Sequence, residues 1–305
     1  MTTEPESRNW LELPLDVTAS ILSRLGAIEI LNSAQNVCSL WRKICKDPLM
    51  WRSIDMHNLG EVWDMDYDPE KMCVHAVDRS CGHLIDINLE YFGSDDLLIH
   101  IAERSSHLKR LRLVSCYNIS DEGLSEAALK LHFLEELEIS YCFILKNALE
   151  TIGRCCPHLK SFKFNVQGCR RFHLESDDEA LAIAQTMPEL RHLQLFGNKL
   201  TNVGLQAILD GCPHLESLDL RQCFNVSLGR NLEKRCVERI KNLRRPNDST
   251  HDYEFNSEVH DTWSSDEDYP LGISDIDLMS DDYDEYFEFS GASDFDYDDE
   301  YLLFD

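Results

Sequence analysis

The chain contains 305 residues, enough for one or two domains, with 43% hydrophobic residues and a formal net charge of −27. No apolar run approaches the roughly 18 residues that a membrane-spanning helix needs, so the sequence predicts no such helix and no membrane partner. The charge is uneven, because residues 247–305 hold 21 acidic residues and no Lys or Arg. We therefore expect this acidic tail to behave separately from the rest of the chain.

The twelve cysteines form no recognisable disulfide or metal-binding pattern. No C-x-x-C motif occurs, and the adjacent Cys155 and Cys156 have poor geometry for either a bridge or chelation. The N-terminus lacks a secretory signal pattern, and a chain of this length needs no disulfide to be stable. We expect reduced, mostly buried cysteines, no metal site, no cofactor, and a location in the cytoplasm, the nucleus or both.

Three short apolar patterns with helical spacing lie within residues 9–55. Pro14 precedes the first helical pattern and Gly26 is suited to end it. Three helices in about 40 residues bury too little apolar surface to be stable alone. Part of this surface must meet a partner, or else it caps the segment that follows. Exposure of five side chains would favour the partner: Leu13, Pro14, Ile21, Leu25 and Leu31.

The next segment resembles half of a calcium-binding loop but departs from it where it matters. Asp64, Asp66 and Asp68 have the spacing of EF-hand ligands, whereas Pro69 and His75 stand where that loop needs Gly and Glu. Calcium binding is therefore not expected. A proline just after an aspartate instead predicts a helix capped by Asp68.

A repeated phrase dominates the middle of the chain. The letters CPHL occur at residues 156–159 and again 56 residues later, at 212–215. The template L-x-x-L-x-L, with Ile or Phe sometimes replacing Leu, fits six times at intervals of 24 to 31 residues. This period is typical of leucine-rich repeats. The six copies begin at Leu84, Leu108, Leu134, Leu159, Leu190 and Leu215.

Each repeat combines a short strand with a helix, which predicts an α/β solenoid of about six units. Ser94 is a predicted helix N-cap, Ser176 and Glu179 form a predicted capping box, and Pro188 is a helix stop. Three repeats place a cysteine eight residues after the first leucine, where a small or hydrogen-bonding side chain can meet the backbone of the next turn: Cys116, Cys142 and Cys223.

Strand alternation turns the residues between the leucines outward, onto the concave side of the solenoid. Arg110, Arg112 and Lys163 then form a modest basic patch, Phe196 is an exposed aromatic residue, and Arg221 lies in the same rows. These five residues are the candidate substrate contacts. A merely solvated surface is the alternative, because such rows must be polar in any case. Changes of sign along the rows suit a shaped protein ligand better than a polyanion.

The fourth repeat contains an insertion, residues 165–178, that we expect to loop out on one rim. Its Arg170, Arg171 and Phe172 are further candidate contacts, unless the loop is disordered. No Ser-His-Asp order, glycine-rich phosphate loop or paired carboxylate motif stands out elsewhere. Four repeats carry a histidine just before the first leucine, which indicates repeat structure and not a ligand cluster: His83, His107, His158 and His214. The sequence therefore predicts a chain without enzymatic activity.

Six Lys and Arg residues lie within residues 233–246, directly before the acidic tail. A nucleic-acid patch is one interpretation, but the tail would compete with phosphate for these cations, so we predict no nucleic-acid partner. Ordering the tail would cost about 1 to 2 kcal/mol per residue, and its like charges repel one another. We predict a disordered tail that makes a weak, salt-sensitive contact with a basic surface, such as the basic end of its own solenoid.

Residues 9–55 resemble an F-box in four segments: Leu13-Pro14, Ile21-Leu22-x-x-Leu25, Val37-Cys38-x-x-Trp41-Arg42 and Leu49-x-Trp51. The resemblance implies docking onto a Skp-family adaptor and, through it, a cullin-RING ubiquitin ligase. With the repeats, the chain to about residue 245 resembles plant F-box/LRR proteins of the Skp-interacting type. The adaptor contacts that the resemblance implies are Leu13, Pro14, Ile21, Leu25, Leu31, Val37, Cys38 and Trp41.

The expected organisation has four parts: an F-box at 9–55, a linker helix at 56–82, leucine-rich repeats at 83–245 and a disordered acidic tail at 246–305. On this resemblance the chain is the non-catalytic substrate-recognition subunit of an SCF-type (Skp-cullin-F-box) E3 ubiquitin ligase. It would hold an unknown protein substrate on the repeats. The alternative is a leucine-rich-repeat scaffold or inhibitor outside any ligase, whose N-terminal helices serve only as a cap.

Overall fold

The computed structural model describes residues 13–57, 67–168 and 175–259. Asp64 and Asp66, the insertion residues Arg170 to Phe172, and the part of the acidic tail beyond residue 259 lie outside this range, so the expectations for them stay predictions. Across the described residues, no helix is both long enough and apolar enough to cross a membrane.

Ten α-helices and eight β-strands make up the described part of the chain. The helices are α1 Leu15–Leu22, α2 Ala27–Asn32, α3 Ser39–Cys45, α4 Pro69–Arg79, α5 Asp95–Arg104, α6 Asp121–Ala128, α7 Lys146–Cys155, α8 Asp178–Thr186, α9 Asn202–Gly211 and α10 Arg230–Arg239. The strands are β1 Ser53–Met56, β2 Asp86–Glu90, β3 Arg110–Val114, β4 Glu136–Ser140, β5 Ser161–Asn165, β6 His192–Gln194, β7 Ser217–Asp219 and β8 Asn242–Arg244.

All eight strands form one parallel sheet in chain order, with a strict register from repeat to repeat. Ile87 pairs with Leu111, Leu111 with Leu137, and Leu137 with Phe162, so the first inward position of every strand falls in one row. These side chains and the inward faces of the helices form a continuous buried core. The predicted solenoid of strand-helix units is therefore confirmed.

The solenoid has two strands more than the six predicted. Strand β1 belongs to an earlier copy of the template, in which Trp51, Ile54 and Met56 replace the three leucines and are at most 1% exposed. Strand β8 belongs to a later copy that begins at Ile240 and continues with Leu243. Because Trp, Met and Ile stand in the leucine positions, the search for leucines missed both copies.

Helix α4 connects the N-terminal helices to the repeats as a helix of the solenoid. As predicted, Asp68 caps it, and its carboxylate accepts the backbone N–H groups of Glu70 and Lys71 at 3.0 and 3.2 Å. Arg79, at its last turn, donates to Gln35 at 3.0 Å and lies 5.6 Å from the ring centre of Trp51. The three N-terminal helices therefore pack on the first repeat through specific contacts.

A left-handed residue follows each of five strands and turns the chain back toward the helices. It lies seven residues after the first template position, and its backbone N–H donates to the neighbouring repeat at 2.9 Å in all five cases. The next residue in three of these repeats is the predicted cysteine. Its thiol meets the preceding repeat and not the next one, so the predicted direction of this contact is wrong; the Cys223 thiol donates to Leu195 O at 2.8 Å. The left-handed residues are Tyr91, Ser115, Tyr141, Gly197 and Gln222.

The predicted helix signals are largely correct. Ser94 caps α5, accepting the Leu97 N–H at 3.3 Å, and α8 ends at Thr186, before Pro188. The predicted capping box is wrong in its position, since the N-cap of α8 is Asp177 and not Ser176. The Asp177 carboxylate accepts instead from the Thr201 backbone and hydroxyl, at 2.7 and 2.8 Å, because the next repeat brings those donors closer than its own helix does.

We expect Gly197→Ala to destabilise the protein by about 3 kcal/mol, since it combines a left-handed backbone with steric overlap. Gly197 has φ of 70°, and an added Cβ would overlap Val166 O and lie 2.7 Å from Gly168 N. Gly229→Ala is the control, because its Cβ would meet nothing within 4 Å. That change should cost about 1 kcal/mol or less. Urea unfolding of both variants measures the difference; equal midpoints would contradict the explanation.

Candidate functional site

The first candidate surface is the apolar face of the N-terminal helices. Ile21 is 37% exposed and Leu25 is 36% exposed, while Val37 and Pro14 are also exposed. The opposite side of α1 is buried, with Thr18 and Leu22 almost inaccessible to solvent. Three exposed residues that the sequence analysis did not select extend the apolar surface: Leu15, Val17 and Leu49. Two of them could have been selected from the sequence, because Leu15 belongs to the Leu-Pro-Leu segment and Leu49 to the Leu-x-Trp segment.

Four of the eight predicted adaptor contacts are buried or half-buried. Leu31 belongs to the core at 7% exposure, so its predicted place on the exposed face is wrong: α2 turns it inward beside Ile30. Cys38 is half-buried and caps α3, its sulfur accepting the Trp41 N–H at 3.4 Å. Leu13 and Trp41 are half-buried as well.

The second candidate surface is the sheet face away from the helices, here called the concave face. Its cations are paired with acids of the sheet. Arg112 lies 2.7 Å from Glu90 and 3.3 Å from Glu138, and Lys163 lies 2.8 Å from Glu138. Arg110 stands apart from this cluster, 2.9 Å from Asp86. Desolvation lowers the pKa of Arg112, but the carboxylates around it outweigh this and leave the pKa raised.

Part of the chain's own tail lies on the concave face. After β8, Asp248 and Arg245 form a turn, and residues 249–257 cross the sheet face; we call them the C-terminal strap. The Glu254 carboxylate reaches Arg112 at 2.5 Å, and Asp252 reaches Arg221 at 2.6 Å. The predicted disorder from residue 246 is therefore wrong for the stretch through residue 259. The predicted contact between tail and solenoid is present there.

Phe196 lies beneath this strap and is not the exposed aromatic residue that strand alternation predicted. It is 1% exposed, because the Tyr253 ring stacks on it with ring centres 3.7 Å apart and planes 2° apart. The Tyr253 hydroxyl lies 3.1 Å from that of Tyr141, and burial raises the pKa of Tyr253. Phe255 meets the Tyr141 ring edge-on at 5.4 Å.

Arg221 is also buried, at 5% exposure, and joins the sheet to the strap. It donates to Asp219 at 2.7 Å and to the Ser249 carbonyl at 3.1 Å, and it lies 5.8 Å from the Tyr253 ring centre. The structure thus brings Arg112, Phe196 and Arg221 together under one segment. Lys163 contacts Glu138 in the same cluster, whereas Arg110 remains outside it.

No catalytic or metal-binding arrangement emerges from the described residues. They contain no group of three or more His, Cys, Asp or Glu side chains that could hold a metal ion. The eleven described cysteines are free, and burial raises the pKa of Cys73 and Cys156 to about 12 and of Cys212 to about 11. Thiols with such values are poor nucleophiles at neutral pH. The two candidate surfaces are suited to binding proteins.

Comparison with known proteins assigns a family to both the N-terminal segment and the repeats. An F-box-like family model matches residues 10–57, and a Leucine Rich repeat model matches residues 104–126 and 187–209. The chain is 57% identical over 296 residues to the F-box protein SKIP19 of Arabidopsis thaliana, covering 96% of this chain and 94% of that protein. It is 49% identical over 283 residues to the putative F-box/LRR-repeat protein 22 of the same plant, covering 90% and 91%.

Among solved structures, a chain of the yeast Rad7 and Elc1 complex aligns with 57% of this chain and 58% of its own, at 17% identity. The TM-score is 0.38, which supports no further conclusion.

Neighbouring residues of α1 provide a test of the exposed apolar face. We expect Leu22→Ala to cost about 2 to 5 kcal/mol, because it opens a cavity at a position that is 0% exposed. Ile21→Ala should cost about 1 kcal/mol or less, since much of that side chain already meets water. Thermal unfolding followed by circular dichroism compares the two variants. Equal losses of stability in the two variants would mean that both sides of α1 are buried.

Proposed function

Because this chain belongs to the family of F-box/leucine-rich-repeat proteins, we propose that it is the substrate-recognition subunit of an SCF-type E3 ubiquitin ligase. In this role the F-box binds a Skp-family adaptor and, through it, a cullin-RING assembly. The repeats bind a protein substrate on their concave face. The chain itself performs no chemistry.

One observation carries the adaptor half of the proposal: the F-box segment exposes a set of large apolar side chains while its remaining apolar residues belong to the buried core. If these helices served only to cap the solenoid, their apolar residues would be turned toward it. Burying one large apolar side chain contributes about 2 kcal/mol before association costs are subtracted. Several such residues suffice for a helix-in-groove contact.

The substrate half of the proposal rests on the concave face. Arg112 and Arg221 are held by buried acids and Phe196 lies beside Arg221, an arrangement suited to recognising a shaped segment of protein. A ligase built this way accelerates ubiquitin transfer by proximity, because it holds a substrate lysine near the charged conjugating enzyme. Affinity capture of the full chain from plant cells with the proteasome blocked identifies the bound substrates.

The double variant Leu13→Ala/Pro14→Ala should reduce adaptor retention at least tenfold, a loss of about 1.4 kcal/mol or more. The Pro14 carbonyl accepts from Thr18 at 3.0 Å, and alanine keeps that carbonyl, so α1 should still form. Leu129→Ala is the control, since Leu129 is 56% exposed but lies at the end of α6. The measurement is co-purification with a plant Skp-family adaptor. Wild-type protein that captures no adaptor would favour a scaffold or inhibitor outside any ligase.

A further inference from the structure

The strap has three features that suit an occupant of a binding groove better than an element of the solenoid. None of its residues belongs to a strand or helix. It attaches through its own side chains and through three backbone carbonyls that accept from side chains of the sheet face, those of Ser249, Asn256 and Ser257. Its Thr250 and Ser257 hydroxyls lie 3.0 Å apart, so it forms a closed loop with Tyr253, Glu254 and Phe255 at its tip. The Tyr253 and Phe255 rings pack against rings of the sheet face, while Glu254, whose side chain is 58% exposed, pairs with Arg112.

The groove retains its own charge pairing when the strap is removed from consideration. Arg112 keeps Glu90 and Glu138, and Arg221 keeps Asp219 at 2.7 Å. Departure of the strap therefore leaves neither of these guanidinium groups buried without a counter-ion. What it does expose is the ring of Phe196, flanked by Arg221 at 5.7 Å. The vacated surface is an aromatic ring beside one preformed guanidinium group, Arg221, with a second, Arg112, further along the same face on β3.

The strap shows which chemistry this surface accepts. Tyr253 stacks on Phe196, while the acids on either side of it, Asp252 and Glu254, pair with Arg221 and Arg112. Arg244 adds a second contact to Asp252 at 2.6 Å. Desolvation raises the pKa of Asp252, but its own backbone N–H and these two guanidinium groups outweigh this and lower the pKa, which keeps the carboxylate charged.

We propose that the concave groove binds a substrate segment in which an aromatic residue is flanked by acidic residues, and that the C-terminal strap occupies the same groove in cis until such a segment displaces it. This inference rests on the proposed function, because it names the substrate class of that surface. The acids of these pairs reach water, Asp252 being 36% exposed and Glu254 58% exposed, and ion pairs open to water contribute little individually and are screened by salt. An occupant held largely by such pairs and two ring contacts can exchange.

The test uses full-length protein co-purified with the adaptor and a fluorescein-labelled peptide, STHDYEFNSE, which copies residues 249–258. In the wild type, the tethered strap competes at an effective concentration in the millimolar range. The variant Asp252→Ala/Tyr253→Ala/Phe255→Ala removes this competition and should bind the peptide at least tenfold more tightly. Fluorescence anisotropy gives both dissociation constants. Equal affinities, or no binding by the variant, would overturn the proposal.

A matched pair of changes in the groove locates the binding. In the strap variant, Tyr141→Phe/Arg244→Gln removes one hydroxyl and one guanidinium that contact the strap, and should weaken peptide binding at least fivefold. Tyr117→Phe/Arg154→Gln removes the same groups from outside the groove and should leave binding unchanged. Equal weakening by both pairs would indicate a general charge effect and overturn the proposal.

Two further outcomes also decide the matter. A peptide with alanine in place of its Tyr and Phe should bind at least tenfold more weakly. Equal binding would mean that the groove recognises only the acidic residues, which contradicts the proposal. Loss of the cooperative thermal transition in the strap variant would make the strap part of the fold and contradict displacement. Adaptor retention is measured on the same samples, so its failure in the wild type rejects the proposed function separately from the peptide result.

Discussion

The parallel register between neighbouring strands is the constraint on which the rest of the structure depends. Each strand donates backbone N–H groups to the same carbonyl position of the strand before it, from Arg52 to Glu216. A slip of one residue would turn every inward side chain to the opposite face, so the buried rows hold the register. The same register aligns residues from distant repeats on the concave face. The groove is a product of the packed core on the other side of the sheet.

Buried acids give the concave face its charge organisation. The Glu90 and Glu138 side chains are only 3% and 9% exposed, yet both lie within ion-pair distance of Arg112. Removing a cation from such a pair would leave buried charge uncompensated, which fixes the guanidinium in place. A ligand that meets preorganised cations does not lose affinity to ordering them. The same preorganisation accounts for the close seating of the strap.

Much of the fold was predictable because its signals are local and periodic. The leucine spacing predicted six strands, Asp68 and Ser94 predicted two caps, and the Leu-Pro segment marked the exposed N-terminal face. The first and last repeats were missed because Trp51 and Ile240 stand where leucine was sought. Leu31 was misplaced because helical spacing shows that a face is apolar without showing whether a neighbour covers it.

The strap was not predictable from the same signals. Composition correctly describes the tail as a run of like charges. Repulsion within the tail is only one contribution to the free energy of ordering it. The acids of the strap are compensated by arginines that lie on different strands of the sheet. These cations come together only once the solenoid has formed: Arg112, Arg221 and Arg244. Phe196 was expected to be exposed for the same reason: its covering residue lies 57 positions later in a segment without periodicity.

The central claim is that the chain has two separate binding surfaces, one for an adaptor and one that its own strap covers. Hydrogen exchange of the full-length protein, alone and saturated with a plant Skp-family adaptor, tests this claim most directly. We predict slower exchange in α1 and α3 on adaptor binding, with unchanged exchange in the strap, residues 249–257, and in strands β3 to β7. Unchanged exchange in α1 and α3, or adaptor-induced slowing confined to the strands, would contradict the account.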